Sequence, residues 1–260
     1  MGHTVFVTGG GSGINLGIAR LFASLGANLG LFGRTDETLQ RARAELEELG
    51  ARVSVSVGDV RDYEAIRDAI EVCRDECGPI SCLVCGAAGN FVTLAEELSS
   101  NGFKAVVDID LVGSFNACRA AFEQLKATRG CIIFISAGQA FVPYHGQSHV
   151  GAAKAGVDNL MQNLALEWGP YGIRLNSVAP GPIAGTEGMK RLVPASVQEM
   201  LAAVVPLQRL GRVDDIANAA VFLASPLASW VTGTRLVVDG GMNLPGSGLF
   251  SKIARDALRD

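Results

Sequence analysis

The chain is predicted to fold as an α/β protein built on a doubly wound parallel sheet. Three observations carry that reading. Short apolar β-type runs alternate with longer helical patterns throughout the 260 residues. The runs are continuously apolar, which means burial on both faces, as in a parallel sheet covered by helices. A glycine-rich turn joins the first run to the first helical pattern, where such a sheet opens a ligand crevice. In order, strand Thr4–Thr8 is followed by helix Ile14–Leu25, and Asn28–Gly33 by Glu37–Leu49. Arg52–Val57 precedes helix Asp62–Glu76, and Ser81–Cys85 is separated by a longer gap from helix Leu111–Lys126. Cys131–Ser136, helix His149–Trp168, Ile173–Ala179, helix Asp214–Ala224 and Arg235–Asp239 complete the alternation. No linker, repeat or low-complexity segment interrupts it, so residues 1–260 read as one domain. The stretch 181–206 has no strand signal and is rich in Gly, Pro and Met, which suggests a small helical lid.

Composition narrows the function classes. The chain is 48% hydrophobic and carries a net charge of −4. No Lys/Arg run appears, so a nucleic-acid partner is not indicated. No apolar run approaches the roughly 20 residues of a membrane helix. The N-terminus enters a strand at once and lacks the charged start and apolar core of a signal peptide. Gly2 has no Ser or Thr at the myristoylation distance, and Leu258-Arg259-Asp260 is not an SKL-type address, so a cytoplasmic location is expected. Cys82-Leu83-Val84-Cys85 has CxxC spacing, but it lies in an apolar run with no second CxxC or nearby His. It reads as core rather than as a redox or zinc site, and no metal is expected.

Thr8-Gly9-Gly10-Gly11-Ser12-Gly13-Ile14-Asn15 follows the first strand and opens the first helix. Glycines there let the backbone approach a pyrophosphate, and the helix N-terminus supplies unpaired N–H groups. The strand–turn–helix context makes this a dinucleotide signal rather than a lone glycine cluster. At the end of the second strand, Arg34 and Thr35 stand where an NAD enzyme carries an acid for the ribose hydroxyls. A guanidinium matches a 2′-phosphate in charge and in paired donors, so the expected cofactor is NADPH.

The glycine turn is similar to the TGxxxGxG motif of the short-chain dehydrogenases/reductases, with Asn15 in place of the last glycine. Asn tolerates unusual φ better than most residues. The resemblance implies a Rossmann-like sheet of seven strands in the order 3-2-1-4-5-6-7. It also implies that Asp59 and Val60 bracket adenine, and that Ala87, Ala88 and Gly89 lie against the cofactor as the NNAG segment does. Pro180, Gly181, Ile183 and Thr186 are placed near the nicotinamide or its phosphate. A homotetramer packed through the two long helices is implied as well.

The family's catalytic Asn, Ser, Tyr and Lys fall on Asp110, Ala137, Val150 and Lys154, so only the lysine is retained. This pattern resembles the peroxisomal type of 2,4-dienoyl-CoA reductase, in which an Asp and the Lys remain and the Tyr is absent. Ala87-Ala88-Gly89-Asn90-Phe91 and Gly185-Thr186-Glu187-Gly188 agree with that subgroup, as does His149. Reducing a ketone makes an alkoxide that must be protonated on oxygen, which is tyrosine's task. Hydride addition to a conjugated thioester makes a dienolate instead, which is protonated on carbon. Such a site needs donors toward the thioester oxygen and an acid or ordered water near the carbon. The resemblance implies that Lys154 binds the nicotinamide ribose and that Asp110 and Lys154 together organise a water. Asn90 and Phe91 are expected to flank the nicotinamide pocket and acyl chain. His149 either orients the acyl-CoA substrate or fills a polar gap, and Tyr144 is a possible replacement donor. Lys190 and Arg191 either meet CoA phosphates or form a solvated lid face, and Ser247–Asp260 either completes a pocket or an interface. The competing readings are a trans-2-enoyl-CoA reductase or other oxidoreductase on this scaffold, and a catalytically silent NADPH-binding protein.

Overall fold

The computed structural model describes residues 3–186, Met189 and 195–244. Its strands are β1 Thr4–Thr8, β2 Asn28–Gly33, β3 Val53–Val57, β4 Ile80–Cys85, β5 Cys131–Ile135, β6 Arg174–Pro180 and β7 Arg235–Val238. They pair in parallel in the order β3-β2-β1-β4-β5-β6-β7, as expected. The period of two sorts β1 between two cores. Val5 and Val7 join one cluster with Ile18, Phe22, Leu39 and Ile216, while Phe6 joins the opposite cluster with Ile66, Ile70, Leu125 and Met161.

The helices are α1 Gly13–Ser24, α2 Asp36–Glu48, α3 Tyr63–Cys77, α4 Ser100–Val107, α5 Gly113–Thr128, α6 Ser148–Trp168, α7 Ala195–Val204 and α8 Val213–Ala224. α1 and α8 cover one face and approach closely at Gly17, where a Cβ would run into the Val213 side chain. α3, α5 and α6 supply the core on the other face. Asp62 caps α3, its side chain accepting the Glu64 and Ala65 N–H groups.

The structure differs from expectation at two places. α4 is an additional helix, started by Ser99, whose side chain accepts the Gly102 N–H. The helix expected from Leu111 starts at Gly113, and a π-helical turn, Asp108–Val112, joins α4 to α5. In the 181–206 stretch, Ile183 bridges Gly211 and α7 forms a helix. Glu187, Gly188, Lys190, Arg191 and the Ser247–Asp260 segment lie outside the described residues. Among the described residues, no helix is long and apolar enough to cross a membrane, and no three His, Cys, Asp or Glu side chains cluster to hold a metal. All six cysteines are buried and free, with Cys82 and Cys131 side by side across β4 and β5.

Candidate active site

Strand order reverses where β1 meets β4, and a parallel sheet opens a crevice there at its C-terminal edge. A cleft of about 480 Å³ occupies this place. It is lined by Gly9, Gly11, Ser12, Gly13, Ile14, Asn15, Arg34, Thr35, Asp59, Val60, Ala87, Ala88, Asn90 and Thr186, all singled out in the sequence. Gly86 lines it too, in the small-residue segment expected against the cofactor; Gly33, Thr38, Leu39, Gly58, Ile109 and Ile135 also line it and were not singled out as binding residues. Gly89, Pro180, Gly181 and Ile183 are not in its wall. Gly181 donates to the Val238 carbonyl at 3.0 Å, and the Ile183 side chain is buried in the core.

The turn's shape follows from its residues. Gly9 and Gly13 take φ +69° and +60°, a region open to glycine. The Thr8 hydroxyl accepts the Gly86 and Ala87 N–H groups at 3.0 and 3.2 Å, tying the ends of β1 and β4 together. Asn15 is not among the residues with positive φ, so backbone tolerance does not explain it. Its Nδ2 donates to the Gly86 carbonyl at 2.8 Å and to that of Gly9 at 3.2 Å, bracing the turn from within α1. A Cβ on Gly86 would collide with this carboxamide.

The cleft's chemistry fits a dinucleotide. Ser12 at the N-cap of α1 makes no side-chain capping bond, and no acid stands in the first turn, whereas α2, α3 and α8 carry acids there. The N–H groups and positive dipole end of α1 are left for an anion. Arg34 is exposed at the cleft rim. Asp59 is gripped by Arg61 through Nε at 2.9 Å and Nη2 at 2.6 Å, which holds its carboxyl below the usual range. The Thr186 hydroxyl donates to the Ile183 carbonyl and accepts the Met189 N–H.

Asp110 and Lys154 meet beside this cleft. Asp110 sits in the π-helical turn, a local irregularity frequent at functional sites. Its Oδ1 accepts the Gly89 N–H at 2.7 Å, and its Oδ2 lies 3.1 Å from Lys154 Nζ. Lys154 Nζ donates to the carbonyl of Ile135, itself in the cleft wall, at 2.8 Å. The pair is nearly fully buried, at 0% and 8% side-chain exposure. Val150, one turn before Lys154, is packed with Val106 and Ala153. Tyr144 donates to Asn243 Oδ1 at 2.6 Å, and burial pushes its hydroxyl pKa up. Asn90 Oδ1, Asp110 Oδ2, Ser136 Oγ, Gln147 Oε1 and His149 Nδ1 are buried without a hydrogen-bond partner among the described residues.

A seven-stranded parallel sheet with this crevice at its switch point and a buried Asp–Lys pair beside it defines an oxidoreductase of the nicotinamide-binding kind. The family model described as enoyl-(acyl carrier protein) reductase matches residues 9–243, and the chain belongs to that family, within the short-chain dehydrogenases/reductases. The chain is 45% identical to the peroxisomal 2,4-dienoyl-CoA reductase [(3E)-enoyl-CoA-producing] of Saccharomyces cerevisiae, over 93% of this chain and 84% of the relative. It is 39% identical to a probable 2,4-dienoyl-CoA reductase [(2E)-enoyl-CoA-producing] of Bacillus subtilis, over 91% and 95%. Among solved structures, an NADPH-bound short-chain oxidoreductase of Pseudomonas aeruginosa described as having an atypical catalytic center superposes with a TM-score of 0.88 at 31% identity, covering 94% and 98% of the two chains.

Proposed function

We propose that this protein reduces 2,4-dienoyl-CoA thioesters to 3-enoyl-CoA with NADPH. The observation that carries the reading is the buried Asp110–Lys154 pair, 3.1 Å apart, beside a tyrosine position occupied by packed Val150. A site so built has no phenol at that position to protonate an alkoxide, but a water seated beside the pair can contact both the carboxylate and the ammonium. The names of the relatives support the same substrate class.

NADPH supplies the hydride when bound. Arg34 and Thr35 receive its 2′-phosphate, Asp59 and Val60 flank the adenine, and the N-terminus of α1 meets the pyrophosphate. Lys154 has three donors; Ile135 engages one, and Asp110 Oδ2 pairs with the ammonium by charge at 3.1 Å without a hydrogen bond, so donors are left for the nicotinamide ribose. Asn90 and Phe91 bound the acyl side. Asp110 Oδ2, with no hydrogen-bond partner, accepts from the water that protonates carbon. Protonation at C2 of the dienolate gives the 3-enoyl product, and protonation at C4 gives the 2-enoyl product. The residues around Asp110 therefore choose the isomer.

The proposal includes a homotetramer. Val112 and Phe115 at the start of α5 are 41% and 45% exposed, and Leu227 and Trp230 beyond α8 are 83% and 98% exposed. These are apolar surfaces of the kind that subunit contacts cover. A cytoplasmic location is likewise proposed, and imaging of the tagged full chain tests it against the peroxisomal names of several relatives. The direct test of the activity is incubation with NADPH and a 2,4-dienoyl-CoA, followed by product identification. The 3-enoyl thioester is expected. The 2-enoyl isomer would overturn the assignment of C2, and no turnover despite tight NADPH binding would favour a silent nucleotide-binding protein.

A further inference from the structure

We infer that Gln147 and His149 are positioning residues that set acyl-substrate affinity by clamping the carbonyl of Phe91. The inference rests on the proposed reduction of a dienoyl thioester. Between β4 and α4 the chain has neither helix nor strand, yet this stretch carries Asn90 and Phe91. It must be held by side chains. On one side Asp110 takes the Gly89 N–H at 2.7 Å. On the other, the Phe91 carbonyl accepts Gln147 Nε2 at 2.8 Å and His149 Nε2 at 3.1 Å. A carbonyl only accepts, so His149 carries its proton on Nε2. Both lone pairs of this one oxygen are used. Thr93 N–H adds a bond to the Gly146 carbonyl at 3.1 Å.

The donors are unusual for their places. Gln147 is the N-cap residue of α6 but makes no capping bond, its amide being directed to Phe91 instead. Gln147 and His149 are 5% and 0% exposed, so they are built into the fold rather than laid on it. The His149 ring also lies 4.3 Å from the Phe91 ring, tilted by 34°, while Phe91 stays 39% exposed. The result is an aromatic side chain fixed from behind and still open to a ligand. A planar conjugated acyl chain is suited to such a surface. Asn90, one residue earlier, is held in the cleft wall by the same two anchors.

The test uses Gln147→Leu, His149→Phe, the double variant and His149→Gln in the full-length protein. A neutral hydrogen bond contributes about fivefold in an equilibrium constant. Each of the first two substitutions should raise KM for 2,4-dienoyl-CoA about fivefold, with kcat within about twofold. The double variant should exceed the product of the two, because the second loss leaves the carbonyl with no donor. His149→Gln keeps a donor at the Nε2 position and should recover most of what His149→Phe loses. Hydrogen exchange of the amides of residues 91–97 should quicken in the double variant while that of α5 does not. Unchanged exchange there would overturn the inference whatever the activity, and so would a fall in kcat with KM unmoved. A wild-type protein that does not turn over dienoyl-CoA would instead defeat the functional reading, leaving the exchange result to decide the clamp.

Discussion

Replacing Asp110 by Asn is the most informative single perturbation of the site. The substitution keeps the shape and lets Oδ1 go on accepting the Gly89 N–H at 2.7 Å. The other branch becomes an amide donor facing Lys154 Nζ, which now stands 3.1 Å from a carboxylate oxygen. A buried ammonium is thereby left with the Ile135 carbonyl as its anchor. Removing one partner of a buried pair costs about 3–5 kcal/mol of stability. At about 2–4 °C per kcal/mol for a chain of this size, Tm should fall by roughly 6–20 °C. If the pair also holds the proton-delivering water, kcat should fall by about 10²- to 10⁴-fold, the usual worth of positioned acid–base catalysis. KM for the thioester should change by only a few-fold. Stopped-flow loss of NADPH absorbance at a temperature well below the variant's Tm, with NADPH affinity measured in parallel, separates chemistry from folding. A kcat within about threefold of wild type at normal NADPH affinity would refute the role given to Asp110.

Other substitutions test separate parts of the account. Arg34→Ala should lower kcat/KM for NADPH by about 10- to 100-fold and leave NADH nearly unchanged, as loss of a charge-assisted contact predicts; equal losses with both cofactors would contradict it. Gly86→Ala drives a methyl into the Asn15 carboxamide and breaks its 2.8 Å bond, so NADPH affinity should fall at least about tenfold in a fluorescence titration. Asp215 is held at about pKa 2 by Arg209 and by the Arg212 N–H. Because its folded value lies below the unfolded one, its stabilisation is complete above about pH 5 and is lost as pH falls toward 2. Asp215→Asn should cost about 1 kcal/mol in urea unfolding at pH 7, after screening by solvent, and less at pH 3. A pH-independent difference would show that the ion pair is not its cause.

Most of the sheet was legible because its signal is local. A run such as Thr-Val-Phe-Val-Thr is apolar on both faces, and β1 and β2 have the expected limits. α4 escaped notice because Asn101 and Gly102 are poor helix formers; its start depends on the Ser99 cap, and among its residues only Val106 is buried. The π-helical turn has no sequence signature at all, since an extra residue per turn is a response to packing. At the site, the family resemblance located Asp110, three residues before Gly113, and its side chain does meet that of Lys154. Asn15 was read through backbone tolerance, whereas it works through its amide, which only the approach of β4 makes visible. Gln147 was not singled out in the sequence, because it lies outside the helix expected from His149 and belongs to no motif. Its partner carbonyl lies 56 residues away, at a range that periodicity does not report.

The central claim is that the absence of tyrosine selects a conjugated thioester over a ketone. Its most direct test is the rate of NADPH oxidation by the wild-type protein with three acceptors: a 2,4-dienoyl-CoA, a 2-enoyl-CoA of the same length and a ketone. The account predicts kcat/KM for the dienoyl thioester at least about a hundredfold above the ketone, the scale of one positioned proton donor, and above the 2-enoyl thioester as well. Efficient reduction of the ketone would contradict it, because a proton must then reach oxygen in a site where Val150 has no hydroxyl to give.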